Sequence, residues 1–141
     1  MKRHIKFALI YAILAMVFGV FYREFTKAYD FIGDTALSKI HTHLFLLGMV
    51  MFLLVALFDD KLHLQNHKLY LPFIIIYNIG VGILSIMLTV RGVFDVLNKP
   101  APDGVIAGIS GIGHILIAVG LILFFCMLLL LLRSNKKEIP S

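Results

Sequence analysis

The sequence predicts an all-α polytopic membrane protein built as a bundle of four transmembrane helices, and three observations support this prediction. Of the 141 residues, 60% are hydrophobic and only 15% are charged, whereas soluble domains are about half apolar and about a quarter charged. The apolar residues form four long runs, with most charged residues between them. Each run is close to the roughly 20 residues that a helix needs to cross a hydrocarbon core. The composition therefore excludes a soluble enzyme.

The four predicted helices cover residues 5–22, 37–58, 71–90 and 105–132. A backbone in lipid must satisfy its own hydrogen bonds, so these runs are predicted to be helices rather than strands. Basic residues precede the first run, but no small-residue cleavage site follows it, and we interpret it as a retained helix rather than a signal peptide. The connecting loops are short. The chain, residues 1–141, is therefore expected to form one transmembrane domain.

The distribution of Lys and Arg predicts the orientation of the helices. With the N-terminus inside, eight of these residues lie inside and five lie outside. Because Lys and Arg are enriched on the cytoplasmic side, both termini are predicted to be inside, in a bacterial cytoplasmic membrane. Membrane lipid is the expected surrounding. Nucleic acid is not expected as a partner, because the basic residues are clustered between apolar runs rather than spread over a folded surface.

Three of the helices carry small or polar residues spaced three or four apart, which places each set on one helix face. Small residues let helices approach each other closely in lipid, so these faces are expected to pack inside the bundle. The third helix carries a polar bundle face, which would also suit the path of a small transporter. The three sets are Ala8, Ala12, Ala15 and Gly19; Asn78, Gly82, Ser85 and Thr89; and Ala107, Gly111, His114 and Ala118.

Three of the six His lie within apolar runs, where an ionisable side chain is a functional candidate. His41 and His43 lie near the outer end of the second helix, and either could face inward. His114 lies at a comparable depth in the fourth helix. Neutral imidazoles suit a transition metal such as copper or zinc, and paired imidazoles suit haem iron. Arg91, at the outer rim, could neutralise haem propionates.

Residues at the helix ends are expected to contact the membrane surface. His4 lies in the basic N-terminal flank and is expected to contact lipid headgroups. Tyr22, Tyr29 and Tyr70 lie near the ends of apolar runs, where tyrosine side chains commonly anchor a helix at the interface.

Three functions follow from these residues. The first is binding of b-type haem or a transition metal through His41, His43 and His114, with a redox, sensing or cofactor-handling role. The second is a non-catalytic scaffold or an accessory subunit of a larger membrane complex, which has no cofactor and whose histidines form only interhelical hydrogen bonds. The third is a small transporter. A homo-oligomer is expected, and no nucleophile–base pair, phosphate loop or paired carboxylate indicates an enzyme.

The segment IHTHLFLLGMVM at residues 40–51 resembles the second helix of the catalytic subunit in the haem-copper oxidase superfamily and its NnrS-like relatives. This resemblance implies a haem ligand at His41, or at His43 if the register differs, with His114 as the second ligand. It covers one helix and does not imply oxygen reduction or proton pumping. The whole chain also resembles a bacterial family of small four-helix membrane proteins of unknown function, which implies the fold and no activity.

Overall fold

The computed structural model describes residues 2–137 and the side chains of residues 2–134. Four helices are long and apolar enough to cross a membrane, and the described residues form no strand. The predicted all-α fold with four membrane-spanning helices is thereby confirmed. The helices are α1 (Lys2–Ala28), α2 (Leu37–Leu62), α3 (Tyr70–Val96) and α4 (Asp103–Lys137).

Each predicted apolar run lies inside one of these helices, and the helices are longer than the runs. The structure continues α1 to Ala28 and α3 to Val96, so part of each segment predicted as a loop is helical. Backbone hydrogen bonds of a helix continue through polar residues, whereas hydropathy marks only the part of the helix that suits lipid. The remaining connections are short, and the one between α2 and α3 contains a single 3₁₀ turn, Leu64–Asn66.

The most closely packed pairs are α1 with α2 and α3 with α4, and contacts between α2 and α3 join the two pairs. The start of α1, the end of α2 and the start of α3 meet at one end of the bundle, here called the terminal end. The opposite end, called the far end, carries the connections between α1 and α2 and between α3 and α4. Because α1 packs along α2 and has almost no backbone contact with α3, a space remains between α1 and α3.

A π-helical segment, Leu44–Val50, interrupts the α-helical hydrogen bonding of α2 near its middle. Gly48 lies in this segment, directly against the ring of Tyr11 from α1, and a Cβ atom at this position would overlap that ring. Tyr77 of α3 donates a hydrogen bond from its hydroxyl to the carbonyl oxygen of Leu47, at 2.9 Å. The wider turn of a π-helix thus lies where tyrosine side chains from both neighbouring helices meet α2.

Close packing of α3 against α4 depends on glycines. A Cβ atom at Gly80 would lie 2.8 Å from the backbone nitrogen of Ile117, and one at Gly120 would lie 2.9 Å from the Cβ atom of Tyr77. Gly113 also lies on this contact, where a Cβ atom would be 3.1 Å from the backbone nitrogen of Leu84. Such residues allow two helix backbones to approach closely in lipid.

The predicted packing face of the fourth helix was wrong. Ala107, His114 and Ala118 are exposed, and Gly111 has open space around it. The helix instead packs through the face that carries Gly113 and Gly120, because these two glycines permit a closer approach than alanine does. The predicted face of the first helix is confirmed, since Ala8 and Ala15 are buried and Gly19 lies against His41 of α2.

Polar contacts fix the start of α2 to the end of α3 at the far end. Thr35 donates a hydrogen bond from its hydroxyl to the carbonyl oxygen of Gly92 at 3.0 Å. The backbone nitrogen of Ala36 donates to the Asp95 carboxylate at 3.0 Å. Leu37 is fully buried against Gly92, where a Cβ atom would overlap its backbone. Hydrogen bonds as well as apolar packing therefore fix the position of α2 relative to α3 at this end.

The Gly48 contact gives a prediction for stability. Replacing Gly48 with Ala should lower the free energy of unfolding by about 1–3 kcal/mol, because the added methyl group overlaps the ring of Tyr11 in a packed interface. Gly111→Ala is the matched control, since it adds the same group to a helix position with nothing within 4 Å. Thermal unfolding of the two variants in the same detergent measures the difference. Equal stabilities would contradict the packing described here.

Candidate functional site

The structure places the three histidines that the sequence predicts as ligands on two helices, α2 and α4. His41 lies on the face of α2 that contacts α1, beside Gly19, and its Nδ1 atom is buried with no hydrogen-bond partner in the part of the chain that the structure describes. His114 lies on an exposed face of α4. Within residues 2–137, no three His, Cys, Asp or Glu side chains form a group that could hold a metal ion. Haem or metal ligation by these residues stays a prediction.

Two of these histidines have a defined ring orientation. The Nδ1 atom of His43 lies 2.7 Å from the carbonyl oxygen of Lys39, and that of His114 lies 2.8 Å from the carbonyl oxygen of Ser110. A carbonyl oxygen can only accept, so Nδ1 carries the proton in both rings and Nε2 is left as the acceptor. Metal-binding histidines commonly have this arrangement, with the second ring nitrogen held by a carbonyl group.

Arg91 lies at the far end of the bundle. Its Nη2 atom lies 3.4 Å from the Asp103 carboxylate, and both side chains are largely exposed. It lines a recess of about 410 Å³ together with Lys39, Asp34 and Asp95. The recess contains side chains of both charges. A haem propionate would therefore compete with acidic side chains for Arg91.

A hydrogen-bonded pair near the middle of the bundle connects α1 to α3. The hydroxyl of Tyr11 donates to the Oδ1 atom of Asn78 at 2.6 Å, and the Nδ2 atom of Asn78 donates to the carbonyl oxygen of Ile74 at 2.7 Å. The ring of Tyr11 also stacks on Phe52 of α2, with 5.7 Å between the ring centroids. This pair holds α1 and α3 at a fixed separation without packing them together.

The space between α1 and α3 forms a groove of about 390 Å³, here called the α1–α3 groove. The predicted polar face of the third helix lines one side of it, and aromatic and aliphatic side chains of α1 line the other. Leu44 of α2 lies at its base. Gly82 has nothing within 4 Å of a Cβ position, so no other described residue fills this part of the groove. The lining consists of Phe7, Ile10, Tyr11, Leu14, Phe18, Leu44, Asn78, Val81, Gly82, Ser85, Ile86 and Thr89.

The polar side chains of the groove differ in how they are satisfied. Thr89 donates its hydroxyl to the carbonyl oxygen of Ser85 at 2.8 Å, which is the usual arrangement for a hydroxyl inside a helix. Ser85 is 9% exposed, and its own hydroxyl has no partner among the described residues. A buried hydroxyl without a partner costs about 1–3 kcal/mol. The Ser85 hydroxyl is therefore the one on this face that has no hydrogen bond to offset the cost of its burial.

A second polar cluster, which sequence reasoning missed, lies at the terminal end. His4 and Asp59 are buried, and the Nε2 atom of His4 lies 3.4 Å from both the Asp59 carboxylate and the Tyr70 hydroxyl. Gln65 donates two hydrogen bonds to Asp59, at 3.2 Å from its backbone nitrogen and at 2.6 Å from its side chain. The guanidinium of Arg3 lies 5.6 Å from the centroid of the Tyr70 ring.

This terminal-end cluster corrects two sequence predictions. His4 was expected to contact headgroups and Tyr70 to anchor at the interface, but both are buried. Each residue lies at the edge of an apolar run, and only the packing of three helices brings them together. The sequence offered one signal for this cluster. An acidic residue, Asp59, directly follows the second apolar run, and a histidine, His4, directly precedes the first.

The cluster gives a prediction that a single substitution can test. Asp59→Asn should lower the free energy of unfolding by about 1–3 kcal/mol, because Gln65 donates to both carboxylate oxygens and an amide replaces one of them with an NH2 group, which cannot accept. Asp60→Asn is the matched control, since Asp60 is exposed, and it should change stability by less than about 0.5 kcal/mol. Thermal unfolding in detergent checks both values. Equal effects at the two positions would show that the cluster does not stabilise the bundle.

Comparison with known proteins agrees with the fold and adds no activity. A family described as a protein of unknown function, DUF2871, matches residues 1–130. No curated protein and no solved structure matches the chain. The match extends over all four helices, from α1 into the last part of α4, and includes both the α1–α3 groove and the terminal-end cluster. The chain therefore belongs to the DUF2871 family.

Proposed function

We propose that the protein binds an uncharged, lipid-soluble molecule in the α1–α3 groove. The observation that carries this proposal is the groove itself, which has a mostly apolar lining and a space beside Gly82 that no other described residue fills. The hydroxyl of Ser85 belongs to this lining and has no hydrogen-bond partner among the described residues. Because its oxygen is buried, the Ser85 side chain would rotate toward the groove to bind a hydroxyl or carbonyl group of the ligand. Sites for small molecules are typically apolar, with a few polar groups that fix the orientation of the ligand.

The lining of the groove favours an uncharged ligand. As far as the described residues form it, the lining holds no charged side chain. An ion without a partner is costly to place in a medium of low dielectric constant. Asn78 and Thr89 already have hydrogen bonds within the chain. Ser85 is therefore the residue at which we place the polar group of the ligand.

The groove gives a prediction that a photoreactive lipid analogue can test. In lipid nanodiscs, a diazirine-bearing dodecanol should label residues of α1 and α3 that line the groove. Gly82→Leu should reduce this labelling at least about tenfold, equivalent to about 1.4 kcal/mol of binding free energy, because the new side chain occupies open space in the groove. Mass spectrometry of the labelled peptides locates the sites.

Gly108→Leu is the matched control for this experiment. It adds the same side chain to α4 at an exposed position that also has nothing within 4 Å. Labelling of the groove should be unchanged in this variant. If both variants label like the original protein, the groove is not the binding site and the proposed function is wrong.

A second candidate function is binding of b-type haem, or of copper or zinc, with a redox, sensing or cofactor-handling role. The observation that favours it is His114, whose exposed ring has Nδ1 fixed by a carbonyl oxygen and Nε2 free as a ligand. His114 shares its face with Gly111, which has open space around it. A second copy of the chain could approach there and supply the opposite ligand, and His43 offers the same ring orientation on α2.

Absorption spectra and metal analysis of the purified protein test this second candidate. Haem binding predicts a Soret band. His114→Ala should reduce haem or metal occupancy at least about tenfold, because losing even a residue that only orients a metal ligand commonly weakens metal binding by that much. His63→Ala is the control, because His63 lies exposed in the connection between α2 and α3. A protein without a Soret band or stoichiometric metal contradicts this candidate. Co-purification with a larger membrane complex would then favour an accessory subunit.

A further inference from the structure

The recess at the far end of the bundle combines side chains of both charges on two helices. Lys39 of α2 and Arg91 of α3 line it together with two carboxylates, Asp34 and Asp95. This recess, here called the far-end recess, shares no lining residue with the α1–α3 groove. It is therefore a separate candidate site, and what it binds does not depend on the function proposed for the groove.

The two cations of the far-end recess border the apolar parts of their helices. No Lys, Arg, Asp or Glu occurs between residues 40 and 58 of α2 or between residues 71 and 90 of α3. Lys39 directly precedes the first of these stretches, and Arg91 directly follows the second. If the helices cross a bilayer, both side chains lie at the level of the lipid head groups. Basic pockets between transmembrane helices commonly bind such head groups.

The charges of the recess are only partly paired within the chain. In the part of the chain that the structure describes, neither Lys39 nor Asp34 forms an ion pair. Arg91 lies 3.4 Å from the Asp103 carboxylate, and both side chains are largely exposed, so this pair contributes little to stability. Asp95 accepts a hydrogen bond from a backbone nitrogen at 3.0 Å, which holds its carboxylate at the recess. Groups of both signs are thus available to a ligand.

An apolar strip continues from the recess along α2, toward the middle of the bundle. Lys39, His43 and Leu46 are spaced four and three residues apart, which places them on one helix face. A shallow depression of about 240 Å³, with a mostly apolar surface, lies on this face. Thr42, His43, Leu46 and Leu47 line it. A hydrocarbon chain attached to a head group in the recess would lie against this strip, which favours a lipid over a soluble ligand.

We infer that the far-end recess binds the head group of a phospholipid that carries both a phosphate and a primary ammonium group, as phosphatidylethanolamine does. The phosphate pairs with Lys39 and with Arg91, whose guanidinium can donate two parallel hydrogen bonds to it. The ammonium group donates to Asp34 and Asp95. Two cations and two carboxylates complement a zwitterion, whereas a head group with a phosphate alone leaves the carboxylates unmatched. A choline head group has no N–H group to donate.

Native mass spectrometry of the delipidated full chain in detergent tests the inference. The chain is titrated with phosphatidylethanolamine, phosphatidylcholine and phosphatidylglycerol that carry identical acyl chains. Phosphatidylethanolamine should bind at least about fivefold more tightly than the other two, which is the scale of one charged contact at a membrane surface. Arg91→Gln should weaken phosphatidylethanolamine and phosphatidylglycerol alike, each about fivefold. Asp34→Asn should weaken phosphatidylethanolamine by a similar factor and should not weaken phosphatidylglycerol.

Lys99→Gln and Asp30→Asn are the matched controls, because both residues are exposed in connections at the same end and do not line the recess. Both variants should bind all three lipids like the original protein. Glycerophosphoethanolamine, which has the same head group and no acyl chain, should not displace the lipid at equal concentration.

Three results would overturn the inference, each in a different respect. If the three lipids bind equally, or if Arg91→Gln binds them like Lys99→Gln does, the recess does not recognise a head group. If phosphatidylglycerol binds most tightly and Asp34→Asn changes nothing, the recess takes the phosphate alone and the zwitterionic assignment is wrong. If glycerophosphoethanolamine displaces the lipid, the ligand is a soluble molecule and the assignment to a lipid is wrong. Labelling of the α1–α3 groove is unaffected by any of these results.

Discussion

The arrangement of the bundle depends on the contact between Tyr11 and the π-helical segment of α2. The ring of Tyr11 occupies the place that a Cβ atom would take at Gly48, so only glycine leaves room for it. Its hydroxyl then reaches Asn78 on α3. One side chain thus determines how closely α1 approaches α2 and how far α1 stays from α3. The α1–α3 groove is a direct consequence, because a tyrosine that bridges two helices also prevents them from packing against each other.

The π-helical segment of α2 contacts a tyrosine of α3 as well as Tyr11 of α1. The carbonyl oxygen of Leu47, in this segment, accepts a hydrogen bond from the Tyr77 hydroxyl. A polar group inside a membrane needs such a partner within the protein. Tyr77 also fills the space beside Gly120 on α4. The middle of α2 is therefore held by one tyrosine from each neighbouring helix.

Hydropathy and residue spacing predicted the four helices, and the spacing of Ala8, Ala15 and Gly19 predicted the face of α1. They could not identify the packing face of α4, because two sets of small residues alternate along that helix and only contact with Tyr77 and Leu84 selects the one with Gly113 and Gly120. The π-helical segment has no local signature in its sequence. The terminal-end cluster was missed because its members lie in three helices, outside the apolar runs.

The two faces of α3 carry glycines in different surroundings. Gly80 and Gly82 are two residues apart, and each makes the helix less stable by about 1 kcal/mol relative to alanine. At Gly80 the close approach of α4 explains this cost, since a Cβ atom would lie 2.8 Å from a backbone nitrogen. At Gly82 no contact with another residue that the structure describes explains this cost. The unpartnered hydroxyl of Ser85 lies on the same face. The ligand that we propose for the groove would account for both residues, because it would occupy the space at Gly82 and would bind the hydroxyl of Ser85 once that side chain rotates toward it.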